Sequence, residues 1–354
     1  MDKLKKWHFK CAKLKPIKSM GLILLAVILL LLPVVVHSPY YIHLLIMVGI
    51  NAVLAMTFIL LFRTGLITIA VAAFWGIGAY ASALLTVRLG LSFWLALPAS
   101  MIITGITAFF FGYFLVRKSG IGFVIQTMVV AFIIPLVFGT FELFGGYVGI
   151  YDIPRPKPIV LPFLAAIKFT SKIPYYYLML FLVLIVILGF SAFYAAWTGR
   201  AWRAIGLGPR LAASLGVNIF RYRLIAFVIS SAAAGLMGSF YAHYYGSIVP
   251  STFGPFKTIY VHVYAILGGI GFAISGPLIG SLILVIVPEM LRITKEVEPI
   301  FTGLLLILLA MFLPDGLFGL LTWHFPRLGE NTARVLRWIK GSSQPSIEIN
   351  EKRK

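Results

Sequence analysis

The chain has 354 residues, of which 61% are hydrophobic and 11% charged, with a formal net charge of +20. Soluble domains carry about 45–50% apolar and about 25% charged residues, so water is excluded as the main solvent of the folded chain and lipid takes its place. The basic residues lie in short segments between apolar runs, which fits the positive-inside rule and not a nucleic-acid surface, and the single cysteine, Cys11, excludes an intrachain disulfide and a Cys-rich metal site.

Residues 1–19 form a basic tail, with Lys3, Lys5, Lys6, Lys10, Lys13, Lys15 and Lys18 set against Asp2. The apolar run Met20 to Val36 is longer than the about 7–15 residues of a signal-peptide core, and it ends at His37-Ser38-Pro39 without a small-x-small cleavage pattern. It reads as a retained first helix. Further runs give about ten predicted spans, at 20–37, 41–62, 65–87, 92–116, 121–140, 175–197, 223–246, 256–273, 276–291 and 298–320. None alternates as a barrel strand would. The third, eighth and ninth are short or glycine-rich, so each is a candidate for a break, which a membrane tolerates only where protein or a cavity shields the backbone. The predicted fold is therefore all-α, a polytopic integral membrane protein, with a transmembrane domain over 20–320.

Arginine and lysine orient it. Arg63, the pair Arg117–Lys118, the segment 198–223 and the tail 321–354 all fall on the side of the N-terminal tail if the spans number ten. Both termini are then cytoplasmic and the protein sits in the cell (inner or plasma) membrane. The segment 141–174 is external, with Gly145, Gly146 and five prolines between Pro154 and Pro174. In the tail, residues 331–340 place Val335, Leu336 and Ile339 on one side and Arg334, Arg337 and Lys340 on another, as an interfacial helix would.

Ionisable residues within spans are costly and functional, and this sequence places almost none there. A proton relay, a voltage sensor and a membrane hydrolase are disfavoured accordingly. No metal ligand set, cofactor motif or catalytic residue is predicted. Neutral residues at depth remain as candidates to line a path: Asn51, Phe74 and Gln126, with Gly145 and Gly146 at its outer end. Small residues four apart, such as Ser231 and Gly235, Ala234 and Gly238, and Gly276 and Gly280, let helices approach closely. Gly268, Gly269 and Gly271 before Gly276-Pro277 mark a tight turn or an unwound stretch.

The segment 198–223 is predicted to fold and not merely to connect. Pro209 suits the first position of a helix and Gly216 the position past its end, with a second helical stretch before it over Arg200, Arg203 and Ala204. A short helix held between two spans is a docking element for a partner, with an interfacial helix lying on the lipid as the alternative; Arg210, Ala212 and Leu215 lie within it. No Gly-x-x-x-x-Gly-Lys-Ser/Thr loop occurs in the chain, so any nucleotide would be bound by a partner.

These residues resemble the permease subunits of branched-chain amino-acid ABC transporters, the M-type Leu/Ile/Val permeases and their urea-transporting relatives. The likeness runs in order through Gly65 to Tyr80, Gly145-Gly146 with Gly149-Ile150 and Ile153-Pro154, Gly199 to Ile205, Ala212 with Leu215-Gly216, Tyr222 to Ser230, Ala234-Gly235 with Gly238, Leu267 to Gly271, and Gly276-Pro277 with Gly280. The resemblance implies a pathway shared with a sister permease, two cytoplasmic ATPases docked on the segment 198–223, and an external binding protein. It leaves the substrate as a branched-chain or related amino acid, or urea and short amides. From the residues alone, a stand-alone channel or secondary carrier is the alternative. The chain departs from the family pattern at Leu66, Ile69, Ala70 and Val71, where polar and small residues and a His are usual. It departs also at Pro209 and Ala213, where acids are usual, so its purely basic docking segment implies an acidic groove on the ATPase.

Overall fold

A computed structural model describes residues 38–158 and 169–290, together with Leu32, Pro33 and Gly303. The predicted first and tenth spans and both tails lie outside the described residues, apart from those three positions. Within the described residues the regular structure is helical, with one isolated antiparallel bridge between Ile150 and Ile248.

Helix α1 (Pro39–Phe62) is apolar on every side, and 89% of its most hydrophobic stretch is buried within the protein. A helix hydrophobic all round belongs at the centre of a bundle. Around it come α2 (Val71–Val87), α3 (Phe93–Leu115), α4 (Ile121–Thr140), α5 (Lys172–Ala195), α6 (Trp197–Leu207), α7 (Pro209–Ser214), α8 (Ile219–Tyr245), α9 (Pro255–Gly269) and α10 (Ser275–Met290). In α3, α4 and α5 only 33% of the equivalent stretch is buried, against 72% in α8. The apolar residues of the first three therefore face outward to the lipid, and α1, α2 and α8 form the core. Among the described residues, five helices, α1, α3, α4, α5 and α8, are long and apolar enough to cross a membrane.

Glycines bring the core helices together. A Cβ on Gly78 of α2 would strike the backbone of Gly235 on α8, and a Cβ on Gly238 would strike the carbonyl of Trp75. A Cβ on Gly235 would also strike Thr104, at the middle of α3. The same device joins α9 to α10, where Gly268 meets the Gly276 backbone and Gly280 meets the carbonyl of Tyr264. The small-residue spacing is thus read directly into backbone contact. Residues 270–274 make a tight turn there, entered through Gly269 at φ 109°.

Helices α1 and α8 run antiparallel, since His43 bonds Tyr244 at one end, Ser230 bonds the Thr57 carbonyl midway, and Arg223 bonds the Thr64 carbonyl at the other. Each ends in a glycine with positive φ, Gly65 at 74° and Gly246 at 75°. A non-helical segment then leads into a short helix: α2 has 17 residues and α9 has 15. The third predicted span, 65–87, is corrected on this point, because its helix begins at Val71. The eighth, 256–273, ends early at Gly269. The two interruptions stand in corresponding places on oppositely directed halves, the arrangement that in transporters surrounds a mid-membrane site.

Candidate functional site

The first interruption carries backbone polar groups into the protein interior, where each needs a partner. Neighbouring side chains supply them. The Ile69 N–H donates to Thr127 Oγ1 of α4 (3.1 Å), the Thr68 carbonyl pairs with His262 Nε2 of α9 (2.8 Å), and Arg223 Nε donates to the Thr64 carbonyl (3.1 Å). The Ala72 N–H, in the first turn of α2, donates to Thr258 Oγ1 in the first turn of α9 (3.0 Å). The two short helices therefore start side by side and run in opposite directions.

Beside this joint lies a narrow cleft between α1, α2 and α8, lined by Thr57, Leu61, Thr68, Val71, Phe74, Phe227, Ser230, Ser231 and Ala234. It holds about 190 Å³ of space between atoms. Phe74 stands edge-on to Phe227, with ring centroids 5.3 Å apart, and closes it. The site is thus shut, with hydroxyls on an apolar wall.

The second interruption, residues 246–254, returns from the outer end and places the 3-10 turn Pro250–Phe253 against α2. Phe253 packs edge-on to Trp75 with centroids 4.8 Å apart. Helix α9 starts at this level, with Pro255 at its N1 position, where proline's missing N–H costs nothing. Lys257 in its first turn holds its ammonium 5.9 Å from the Trp75 ring centroid. It has no ion-pair or hydrogen-bond partner among the described residues. Insertion scales put a lysine at this depth at about 2.5–3.5 kcal/mol unfavourable. The reading that spans carry almost no ionisable groups is corrected here. A helix starting at residue 256 at the membrane surface would leave Lys257 among headgroups, whereas the re-entrant turn sets it beside Trp75 of α2. His243 and His262 are likewise inside, each hydrogen-bonded to a backbone carbonyl.

At the opposite end from the Ile150–Ile248 bridge, α6 and α7 fold as predicted from their proline and glycine. Pro209 opens α7, and Gly216 follows it at φ 82°. Trp202 is fully buried, and its indole donates to the Tyr222 carbonyl (2.9 Å). Arg200, Arg203 and Arg210 are exposed, with Leu207 (64%), Leu211 (69%) and Leu215 (75%) beside them. Ala204 is half-buried, Ala212 points inward, and Gly216 is exposed. Gly206 lies directly on the Arg63 carbonyl, where a Cβ would not fit. Arg63 in turn donates to the Gly271 carbonyl of the 270–274 turn (2.8 Å) and lies over the Tyr194 ring at 5.2 Å. Burial lowers its pKa from the ordinary arginine value, though arginine stays charged in proteins.

Of the path candidates, Phe74 lines the cleft. Asn51 and Gln126 do not. Asn51 donates to the Met47 carbonyl (2.9 Å), and its Oδ1 and the Gln126 Oε1 are buried without a partner. Gly145 (φ 81°) and Gly146 (φ 61°) shape a turn, and a Cβ on Gly145 would strike the Gly149 carbonyl. Sequence reasoning missed Arg63, Thr127, Lys257 and His262. Their signal is conditional: a polar residue near a predicted span end becomes interior once the span is broken.

These features, interrupted helices meeting inside an all-helical bundle that presents apolar faces to lipid, define a multi-pass membrane transport protein. The family described as "Branched-chain amino acid transport system / permease component" matches residues 40–311. The chain belongs to this family, and it is a permease and not an enzyme. It is 28% identical over 296 residues to the high-affinity branched-chain amino acid transport system permease protein LivM of Salmonella typhimurium, covering 78% of this chain and 67% of that protein. The identity and coverage with LivM of Escherichia coli are the same. It is 35% identical over 123 residues to the permease protein LivH of Escherichia coli, covering 34% of this chain and 39% of that one. No significant match was found among solved structures.

Proposed function

We propose that this chain is one permease subunit of an ATP-driven importer of branched-chain or closely related amino acids. It spans the membrane ten times with basic cytoplasmic tails at 1–19 and 321–354 around a permease domain at 20–320. A homologous sister permease completes the pathway, two cytoplasmic ATPases bind and hydrolyse ATP, and an external binding protein delivers substrate at the end formed by 141–174. Similarity to both LivM and LivH, two permeases of one kind of transport system, supports a paired arrangement.

The observation that carries the reading is the continuous contact from the docking segment 198–223 to the first interruption. Leu207, Leu211 and Leu215, flanked by Arg203 and Arg210, offer an apolar and basic knob for an acidic ATPase groove. Behind the knob, Gly206 rests on Arg63, and Arg63 is the residue that begins the broken segment and holds the 270–274 turn. A push on α6 therefore reaches the closed cleft through rigid contacts, as switching between discrete packings requires.

The test is co-purification with the cognate ATPases and uptake in proteoliposomes. Arg203→Glu with Arg210→Glu is expected to abolish ATPase capture and its salt dependence. Branched-chain amino-acid uptake is expected to need both ATP and the ATPases. Uptake that persists without either would overturn the proposal.

A further inference from the structure

Lys257 is the feature that packing does not account for. It is a cation next to the first turn of α2, with no acid opposite it among the described residues. Beside it the indole N–H of Trp75, on a side chain only 2% exposed, also lacks a partner. Two neighbouring donors without acceptors among the described residues, one of them charged, favour an anionic oxygen ligand.

The approach to this point is aromatic. Tyr245, 46% exposed at the outer end of α8, contacts Tyr241 with ring centroids 4.5 Å apart. Tyr241 contacts Trp75 at 4.7 Å, and Trp75 leads to the Lys257 ammonium. Phe253 forms the remaining wall. Lys257 itself is only partly buried by the described residues. One positive charge at the base of apolar walls matches one carboxylate carried on an aliphatic molecule. The N-terminus of the 15-residue α9 adds its positive dipole end on the same side.

We infer that Lys257, assisted by the Trp75 indole N–H, binds the carboxylate of the transported amino acid during its passage, with the aliphatic side chain lying against Trp75, Tyr241 and Phe253. This rests on the amino-acid importer reading above and adds to it where the substrate's charged end is held.

The test uses the complete transporter in proteoliposomes and tritiated L-leucine. Lys257→Met is expected to lower uptake at least about tenfold, the usual cost of leaving one member of a buried charge pair alone, and Lys257→Arg is expected to keep a measurable share. The Met variant should assemble with its partners and melt at or above the wild-type temperature, because an unpaired ammonium has left the interior. In a Cys11→Ser background, Lys257→Cys treated with a 2-aminoethyl thiosulfonate regains uptake, while the neutral methyl reagent does not restore it. Wild-type kinetics in Lys257→Met, or equal rescue by the neutral reagent, overturns the inference. A melting temperature well below wild type in Lys257→Met makes the lysine structural and overturns it as well. If the wild-type complex takes up no branched-chain amino acid, the importer reading falls and this ligand falls with it.

Discussion

The two interrupted helices share a plan and differ in how their loose ends are tied. At the first, residues 64–70, backbone groups are taken up by side chains from three other helices: Thr127, Arg223 and His262. At the second, residues 246–254, the fold leaves donors over, the Trp75 indole N–H and the Lys257 ammonium. A fully satisfied break behaves as a joint, because moving it requires its partners to move together. A break with unsatisfied donors is half of a binding site. The two interruptions touch through Ala72 and Thr258.

The largest effect is expected where both interruptions depend on one helix crossing. Gly238→Leu drives a side chain into the Trp75 carbonyl, and overpacking a close-packed interior costs about 1–3 kcal/mol and occasionally more. Size-exclusion chromatography of the fluorescently tagged protein should show loss of the monodisperse peak. If the folded protein survives unchanged, the two interruptions do not share a rigid core.

Next comes the link to the docking segment. Arg63→Ala removes the bond to Gly271 and the contact with Tyr194 while leaving the exposed knob intact. ATPase capture should persist while uptake falls at least about tenfold, a loss confined to the transport step. Parallel loss of both would mean that Arg63 merely holds α6 in shape.

The joint can be weakened without touching the receptor. Thr127→Val strips the acceptor from the Ile69 N–H, and an orphaned buried donor costs about 1–3 kcal/mol. The melting temperature should drop, in contrast to Lys257→Met, which removes a group that nothing satisfies. Opposite signs for these two variants would confirm the contrast between the interruptions, and equal signs would break it. The smallest effect is expected at Asn218, whose side chain accepts the Arg221 N–H to cap α8. Asn218→Ala should cost about 1 kcal/mol and leave uptake intact.

Much of this was legible in one dimension. The lipid environment, the positions of most spans and the small docking helix follow from composition, apolar run length, and the pairing of Pro209 with Gly216. Gly235, Gly238, Gly276 and Gly280 announce close crossings by their spacing. Phe74, singled out as an aromatic within a small-residue helix, lines the cleft between α1, α2 and α8. The path roles assigned to Asn51 and Gln126 rested on polarity alone, and polarity does not say which way a residue faces on a helix buried on most sides.

The sequence by itself determined that the chain lives in lipid and which stretches are helical, because hydrophobicity summed over about 20 residues is a local quantity. Only the tertiary structure decided where two helices break. A backbone can leave the helix inside a membrane only if distant side chains meet its polar groups, and Thr127, Arg223 and His262 lie 58, 159 and 194 residues away from the groups they meet. The same breaks move Lys257 from an expected membrane surface to the side of Trp75 on α2, without an ion-pair partner among the described residues.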